Sequence, residues 1–451
     1  MRPDWRSEFG RGVVVVLVAA MLTATALSAS GATVASGVEE LGPDAVTYVE
    51  RCSILDESGT YVLERDVETT ADDCFRVTAD DVRLLGTGHT VLGENATGSA
   101  VLVDDATEVH VEGLGATDWR RGVTVDGATN VTVADVTVQN VSADGVRISD
   151  STDVTVVNGS VVAGGGHGVT VLDSENAIIE GMRLANNTGN GVSIRRSADT
   201  TVHGNAILDN GGVGVDVTAD SMSSADRPEV PAWLLPLAGD GGLSDFAEVL
   251  AAEPTAGSAG TVVTDNTIED NRYQGVLVLR ENAGRIANNT VAGSTDGIRL
   301  INVSGASVAG NTISGSIDDG IAISWGSETN ISDNTVSANG DDGVYVFGSG
   351  NVVANNTVAN NSDDGLDLHD SDRNRVTANY AYGNGDDGVF FRESNGNTVV
   401  DNRFVDNRDD GFDIRGSTDN VIHNNTACRN DNHDMQIRLG VEGNEVRDNS
   451  C

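Results

Sequence analysis

Apolar and polar residues alternate along most of this chain in short runs, and each run is bounded by clusters of Gly, Asn, Asp and Ser. Alternation with a period of two places successive side chains on opposite faces of a strand, so the pattern predicts short β-strands separated by tight turns. The runs return in phase. A glycine opens one at Gly122, Gly145, Gly168, Gly191 and Gly214, then at Gly275, Gly297, Gly320, Gly343, Gly365, Gly388 and Gly411. The steps are 22 or 23 residues throughout, apart from one gap of 61. Each unit reads G-h-x-h-x, a polar turn, N-x-h-x-x-N-x-h, and a second turn, where h is apolar. Short strands that return to one phase at this interval describe a coil with roughly three strands per turn, stacked in parallel. The predicted fold is therefore all-β: a single right-handed parallel β-helix over 45–451, of roughly fifteen coils. A leucine-rich horseshoe has a similar period but a leucine-dense consensus that is absent here. A calcium-binding nonapeptide roll would repeat its Asp-Gly step every nine residues rather than once per coil.

The long gap amounts to one coil plus an insertion over about 219–260, which includes Trp233 and an apolar stretch from Leu243 to Ala252 with helical spacing. It reads as a lid over the coil surface or as a decoration. Asparagine marks a further phase. Asn205, Asn266, Asn288, Asn311, Asn334, Asn356, Asn379, Asn402 and Asn425 lie one coil apart, and the expectation is that their amides stack rung on rung about 4.8 Å apart. Sequons at Asn288 and Asn424 would then be poor glycan sites, leaving Asn95, Asn130 or Asn302.

The four cysteines obey the same interval. Cys52 and Cys74 are 22 residues apart, and Cys428 and Cys451 are 23 apart. Residues one coil apart lie within the ordinary Cα separation of a disulfide, so two bridges are expected, each closing one terminal coil.

Composition changes the picture of the environment. The formal charge is −42 and the 27 cationic residues are all arginine, with no lysine in the 451 residues. A surface so acidic stays hydrated in concentrated salt, where long-range repulsion is screened, and we read it as a halophile signature. It excludes a phosphate-rich partner such as nucleic acid. Residues 1–30 run from Arg2, Arg6 and Arg11 through an apolar stretch to small residues at Ser28-Ala29-Ser30, the order of a secretory signal peptide. No membrane span is expected in the mature chain, which should be a secreted or cell-surface monomer.

Candidate chemistry follows from the strand register. With the marker glycine as origin, the first and third residues after it point inward and the second and fourth outward. The second-position column is then Leu277, Arg299, Ala322, Tyr345, Asp367, Phe390, Asp413, Gln436, and the fourth is Leu279, Ile301, Ser324, Phe347, His369, Arg392, Arg415, Arg438. One histidine and three arginines on consecutive rungs, beside Tyr345, Phe347 and Phe390 and flanked by Trp325, are an unusual surface for so acidic a chain. Guanidinium forks suit carboxylates, and aromatic faces suit sugar rings. We therefore expect a groove for an acidic polysaccharide or cell-surface glycan, with Arg392, Arg415, Arg438, Asp413, Tyr345, Phe347 and Phe390 lining it. The alternative is that the arginines only neutralise neighbouring aspartates. A second stripe pairs aspartates before the marker glycine: Asp318-Asp319, Asp341-Asp342, Asp363-Asp364, Asp386-Asp387 and Asp409-Asp410. Each glycine suits a positive-φ turn. The stacked carboxylates repel one another, a cost relieved by concentrated salt or by Ca²⁺ at Asp341, Asp342, Asp363, Asp364, Asp386 and Asp387.

The repeat with its N-x-h-x-x-N frame resembles the right-handed parallel β-helix superfamily, and within it both the NosD-type copper-accessory proteins and the polysaccharide lyases and mannuronan C5-epimerases. Locally, Asp364-Gly365-Leu366-Asp367-Leu368-His369-Asp370 is similar to the Y-G-F-D-P-H-D/E segment of alginate epimerases, matching at Gly365, Asp367, His369 and Asp370. Arg392-Glu393 stands where that family has an S-R-E run. The resemblance implies a lyase or C5-epimerase in which His369 takes the C5 proton, Asp367 orients it and Arg392 neutralises the uronate carboxylate. The family's tyrosine is Asp364 here and its proline is Leu368. The NosD likeness implies an accessory role in copper handling, yet the histidines and methionines form no cluster, and no cofactor is assigned. A non-catalytic surface or matrix binding protein is the remaining alternative.

Overall fold

The computed structural model describes residues 46–70, 72–219, 260–438 and 442–451. Residues 1–30, read above as a signal peptide, and nearly all of the insertion read at 219–260 lie outside the described residues. Every described strand is paired in parallel, and the strands form three sheets of 17, 15 and 16 members. Each coil donates one strand to each sheet. In the coil that follows Gly365 these are Leu366–His369, Arg375–Thr377 and Tyr380–Tyr382. Each pairs with its counterpart on the next rung, Val389–Arg392, Thr398–Val400 and Arg403–Val405. This is the predicted parallel β-helix.

Alternation explains the core. Leu366, Leu368, Val389, Phe391, Phe412 and Ile414 are buried in one continuous apolar column. Because no sheet has two wet faces along this column, a single register slip would turn a rung's apolar set outward.

The turns are built from ladders. Asn334 donates its backbone N–H and its side-chain amide to Asn356 Oδ1, both at 3.0 Å, and Asn356 Nδ2 donates to Asn379 Oδ1 at 3.0 Å and to the Ile331 carbonyl at 2.9 Å. In this ladder the rung member is Asn289, not Asn288: Asn289 is buried, while Asn288 is exposed with a left-handed φ of 56°. Asn424 likewise sits outside, beside the ladder residue Asn425. The sequon asparagines therefore occupy the outward turn position next to the ladder. Two more columns, Asn339-Asn361-Asn384-Asn407-Asn430 and Asn351-Asn374-Asn397-Asn420-Asn444, tie the other corners.

The marker glycines do not have positive φ; space requires them instead. A Cβ on Gly365 would lie 2.6 Å from the Gly388 carbonyl oxygen and 2.8 Å from Ala381 Cβ. The same oxygen of the next marker glycine crowds Gly320, Gly343 and Gly388.

Cys52 and Cys74 form a disulfide, as expected. Cys428 and Cys451 are thiols. Register supplies the reason. Ser53 pairs with Phe75, a step of 22, so Cys52 faces Cys74 directly. In the last coil Thr426 pairs with Ser450, a step of 24, which sets Cys451 opposite Ala427 and one residue out of phase with Cys428.

Candidate functional site

The second-position column forms as read, paired rung to rung from Leu277 through Arg299, Ala322, Tyr345, Asp367, Phe390 and Asp413 to Gln436, and the fourth pairs in two runs, Leu279 to Phe347 and His369 to Arg415. Their exposure differs from the expectation. Leu277, Leu279, Arg299, Ile301, Ala322 and Ser324 are all buried, so the open part of the face begins at Tyr345. Trp325 and Phe347 border it. The strand Ile321–Ser327 shifts register between Ser324 and Gly326, which leaves Trp325 as a bulged residue with φ of 56°. A bulge re-aims its side chain. Here the Trp325 ring meets Phe347 edge-on at 5.3 Å, and Phe347 meets the His369 ring at 6.5 Å.

His369 and Arg392 are direct rung partners, and both project from the same side of the sheet as Asp367. The expected Asp367–His369 pair is not made. His369 Nε2 lies 3.6 Å from Asp370 Oδ2 instead, because the two side chains at 367 and 369 run parallel along the strand while the turn at Asp370 folds back. Asp367 is half-buried, and its Oδ1 is enclosed without a hydrogen-bond partner. Burial, reinforced by Asp363 and Asp341, pushes its carboxyl up to about 7 against the pull of Arg392. Burial also raises the Tyr345 phenol, with Asp367 on the neighbouring rung adding to the effect.

The arginines divide into two kinds. Arg415 Nε donates to Asp413 Oδ2 at 2.6 Å, and its guanidinium lies 4.6 Å over the Phe390 ring. Arg438 reaches the same oxygen at 2.9 Å. Asp413, expected at the surface, is completely buried beneath them. These two arginines thus neutralise aspartate, the alternative raised above. The side chain of Arg392 is exposed, and its guanidinium makes no ion pair or hydrogen bond among the described residues.

Sequence reasoning missed the role of the second aspartate in each pair. Asp319, Asp342, Asp364, Asp387 and Asp410 are buried, and each accepts the backbone N–H of its successor one rung on, as in Asp364 N–H to Asp342 Oδ1 at 2.9 Å and Asp387 N–H to Asp364 Oδ1 at 2.7 Å. Burial pushes Asp387 up to about 8, against the hydrogen bond from Asp410. Asp342 and Asp364 are raised well above the ordinary carboxylate range for the same reason. The signal was available: the position before the marker glycine reads Asp144, His167 and Asn190 in earlier coils, all capable of accepting that N–H.

Comparison with known proteins bears on the fold. A family model described as the right handed beta helix region matches residues 255–361 and 323–451. A model described as periplasmic copper-binding protein (NosD) matches residues 68–225. The ligand set for copper is not met: every group of three or more metal-ligating side chains among the described residues consists of aspartate alone, whereas copper favours nitrogen and sulfur. No curated protein matches the chain. Among solved structures, a point mutant of the periplasmic alginate epimerase AlgG is 12% identical, with 77% of this chain and 78% of that one covered at a TM-score of 0.43. The Dettilon tailspike protein is 15% identical over 79% of this chain and 62% of that one, at 0.42. An alginate lyase from Paenibacillus sp. str. FPU-7 is 14% identical over 66% and 90%, at 0.34. With three parallel sheets wound as one solenoid and the model of the right handed beta helix region matching 255–451, the chain has the right-handed parallel β-helix fold.

Proposed function

We propose that this is an exported, salt-adapted protein whose face around His369 binds an acidic polysaccharide and catalyses proton transfer at C5 of a uronate, as a lyase or a C5-epimerase. The observation that carries the reading is Arg392: an exposed guanidinium with no ion pair among the described residues, on a chain of charge −42, in direct register with the site's histidine. In that position it would hold the uronate carboxylate. Neutralising the carboxylate stabilises the negative charge that develops when the α-proton leaves. The His369 imidazole takes that proton. Asp367, with its carboxyl pushed up to about 7, keeps a proton into the neutral range and takes the place of the tyrosine that the segment lacks. In an elimination the Asp367 proton goes to the departing O4 as the C4–O bond breaks, and in an epimerisation it is delivered to C5 from the face opposite His369, which keeps the proton first removed. The Trp325 and Phe347 rings, set edge to face, supply an apolar border for a sugar ring.

A panel of polyuronates in concentrated salt tests this, scored for unsaturated uronate by ultraviolet absorbance and for exchange of the C5 hydrogen with solvent. Wild type should show one of the two signals, and His369→Ala should lose it. Polymer retention without either signal would make the protein a binding module, the first of the alternatives, and absence of both retention and chemistry would refute the site.

A further inference from the structure

The corner that carries the paired aspartates adjoins the His369 face, with Asp363 and Asp341 acting on the Asp367 carboxyl. After a first group of Asp296, Asp318 and Asp319, three linked groups of carboxylates follow one another along it: Asp341, Asp342 and Asp363; Asp363, Asp364 and Asp386; Asp386, Asp387 and Asp409. Within each group one oxygen from every residue lies within 4.8 Å of the others. Calcium–oxygen bonds of about 2.3 to 2.6 Å place ligands on opposite sides of one ion up to about that distance apart. Consecutive groups share a residue, Asp363 and then Asp386. The geometry is that of a file in which the first aspartate of a pair bridges two neighbouring positions.

Crowded carboxylates alone would not identify a ligand, but the ends of the row differ from its middle. At the N-terminal end Arg299 sits 3.6 Å from Asp296 and 3.8 Å from Asp319, and all three side chains are buried. At the C-terminal end His433 Nδ1 lies 2.9 Å from Asp410, while Arg415 and Arg438 cover Asp413. The protein therefore supplies its own cations where the row begins and stops. Between them, no arginine or histidine among the described residues is within ion-pair distance of Asp341, Asp342, Asp363, Asp364, Asp386, Asp387 or Asp409. Enclosed oxygens with no hydrogen-bond partner lie on the strands that leave this stretch: Asp367 Oδ1, whose carboxylate has Asp363 and Asp341 as its strongest charged neighbours, and Asp413 Oδ1 on a completely buried side chain. An all-oxygen set with clustered negative charge suits a hard cation and does not suit a nitrogen- or sulfur-seeking metal.

We infer that this corner binds a file of up to three hard divalent cations of the Ca²⁺ class, bridged by Asp363 and Asp386, which take the place that arginine fills at either end of the row. The test uses the full chain, stripped with a chelator and held at constant, high KCl, with Ca²⁺ titrated by calorimetry and Tb³⁺ luminescence as an independent reporter. Wild type should take up about three ions. Asp363→Asn with Asp386→Asn removes a ligand from all three positions and should weaken binding at least tenfold. Asp386→Asn alone should leave one strong position. Asp318→Asn, at the end neutralised by Arg299, should leave the stoichiometry unchanged. Far-ultraviolet circular dichroism checks that each variant keeps its strands, and the single substitution serves if the double variant loses them. No Ca²⁺ uptake by wild type in KCl, or uptake that is unchanged in Asp386→Asn, would overturn the inference.

Discussion

Replacing Arg392 or Arg415 with alanine separates a binding arginine from a structural one, although the two occupy adjacent rungs. Arg392 is exposed and unpaired among the described residues, so its loss should change stability by no more than about 0.5 kcal/mol. In the proposed complex it makes a charge-assisted contact with a uronate carboxylate, worth about 1.5 to 3 kcal/mol. Its removal should weaken retention on polyuronate about ten- to a hundredfold. Arg415 lies over Phe390 and donates at 2.6 Å to Asp413, which is fully buried. Breaking a buried pair typically costs about 3 to 5 kcal/mol, but here Arg438 remains 2.9 Å from the same carboxylate oxygen and Arg415 is partly exposed, which brings the expected loss to about 2 kcal/mol. Thermal unfolding and affinity electrophoresis through polyuronate gels, both in concentrated salt, read the two effects. High salt sharpens the contrast, because the Debye length falls to about 3 Å at 1 M and only contact pairs survive. Unchanged retention in Arg392→Ala, or an unchanged midpoint in Arg415→Ala, would refute the division.

Adjacent asparagines should behave in opposite ways. Asn356→Ala removes acceptors from the Asn334 N–H and amide and a donor from the Ile331 carbonyl, and should cost about 3 kcal/mol, whereas the exposed Asn355→Ala should cost no more than about 1 kcal/mol by denaturant unfolding, the strain of alanine at its left-handed φ of 58°. Glu281 accepts the Thr261 N–H at 2.7 Å with its other oxygen unpartnered, and burial pushes its carboxyl up to about 7 from an ordinary 4.5. A raised carboxyl favours the folded state while it is protonated, so this contribution is complete below pH 4.5 and is lost as pH rises through about 7. Glu281→Gln should therefore gain on wild type by about 3 kcal/mol between pH 4.5 and 8, and a gap that does not vary with pH would count against it.

Periodicity determined most of what the chain is. Alternation within a run sets which side chains face inward, and the 22–23 residue interval sets how many strands close a turn, so the solenoid, its core column and the order of residues along the outward columns follow from the sequence alone. The tertiary structure decided what depends on register across rungs. A period counts residues along the chain, but contact depends on which residue stands opposite, and one extra residue in a turn changes that without disturbing the repeat. The last coil is 24 residues by its pairing, so Cys428 and Cys451 stand one residue out of phase and meet as neighbouring thiols rather than as direct rung partners. Asn289 rather than Asn288 enters the ladder for the same kind of reason. Burial is equally non-local. The pair Asp363-Asp364 looks uniform in sequence, yet the second carboxylate turns into the corner to meet the next rung's N–H while the first stays in solvent. Only the fold shows that Asp413 claims two of the three arginines and leaves Arg392 unpaired, because which charges are already neutralised depends on distances between rungs.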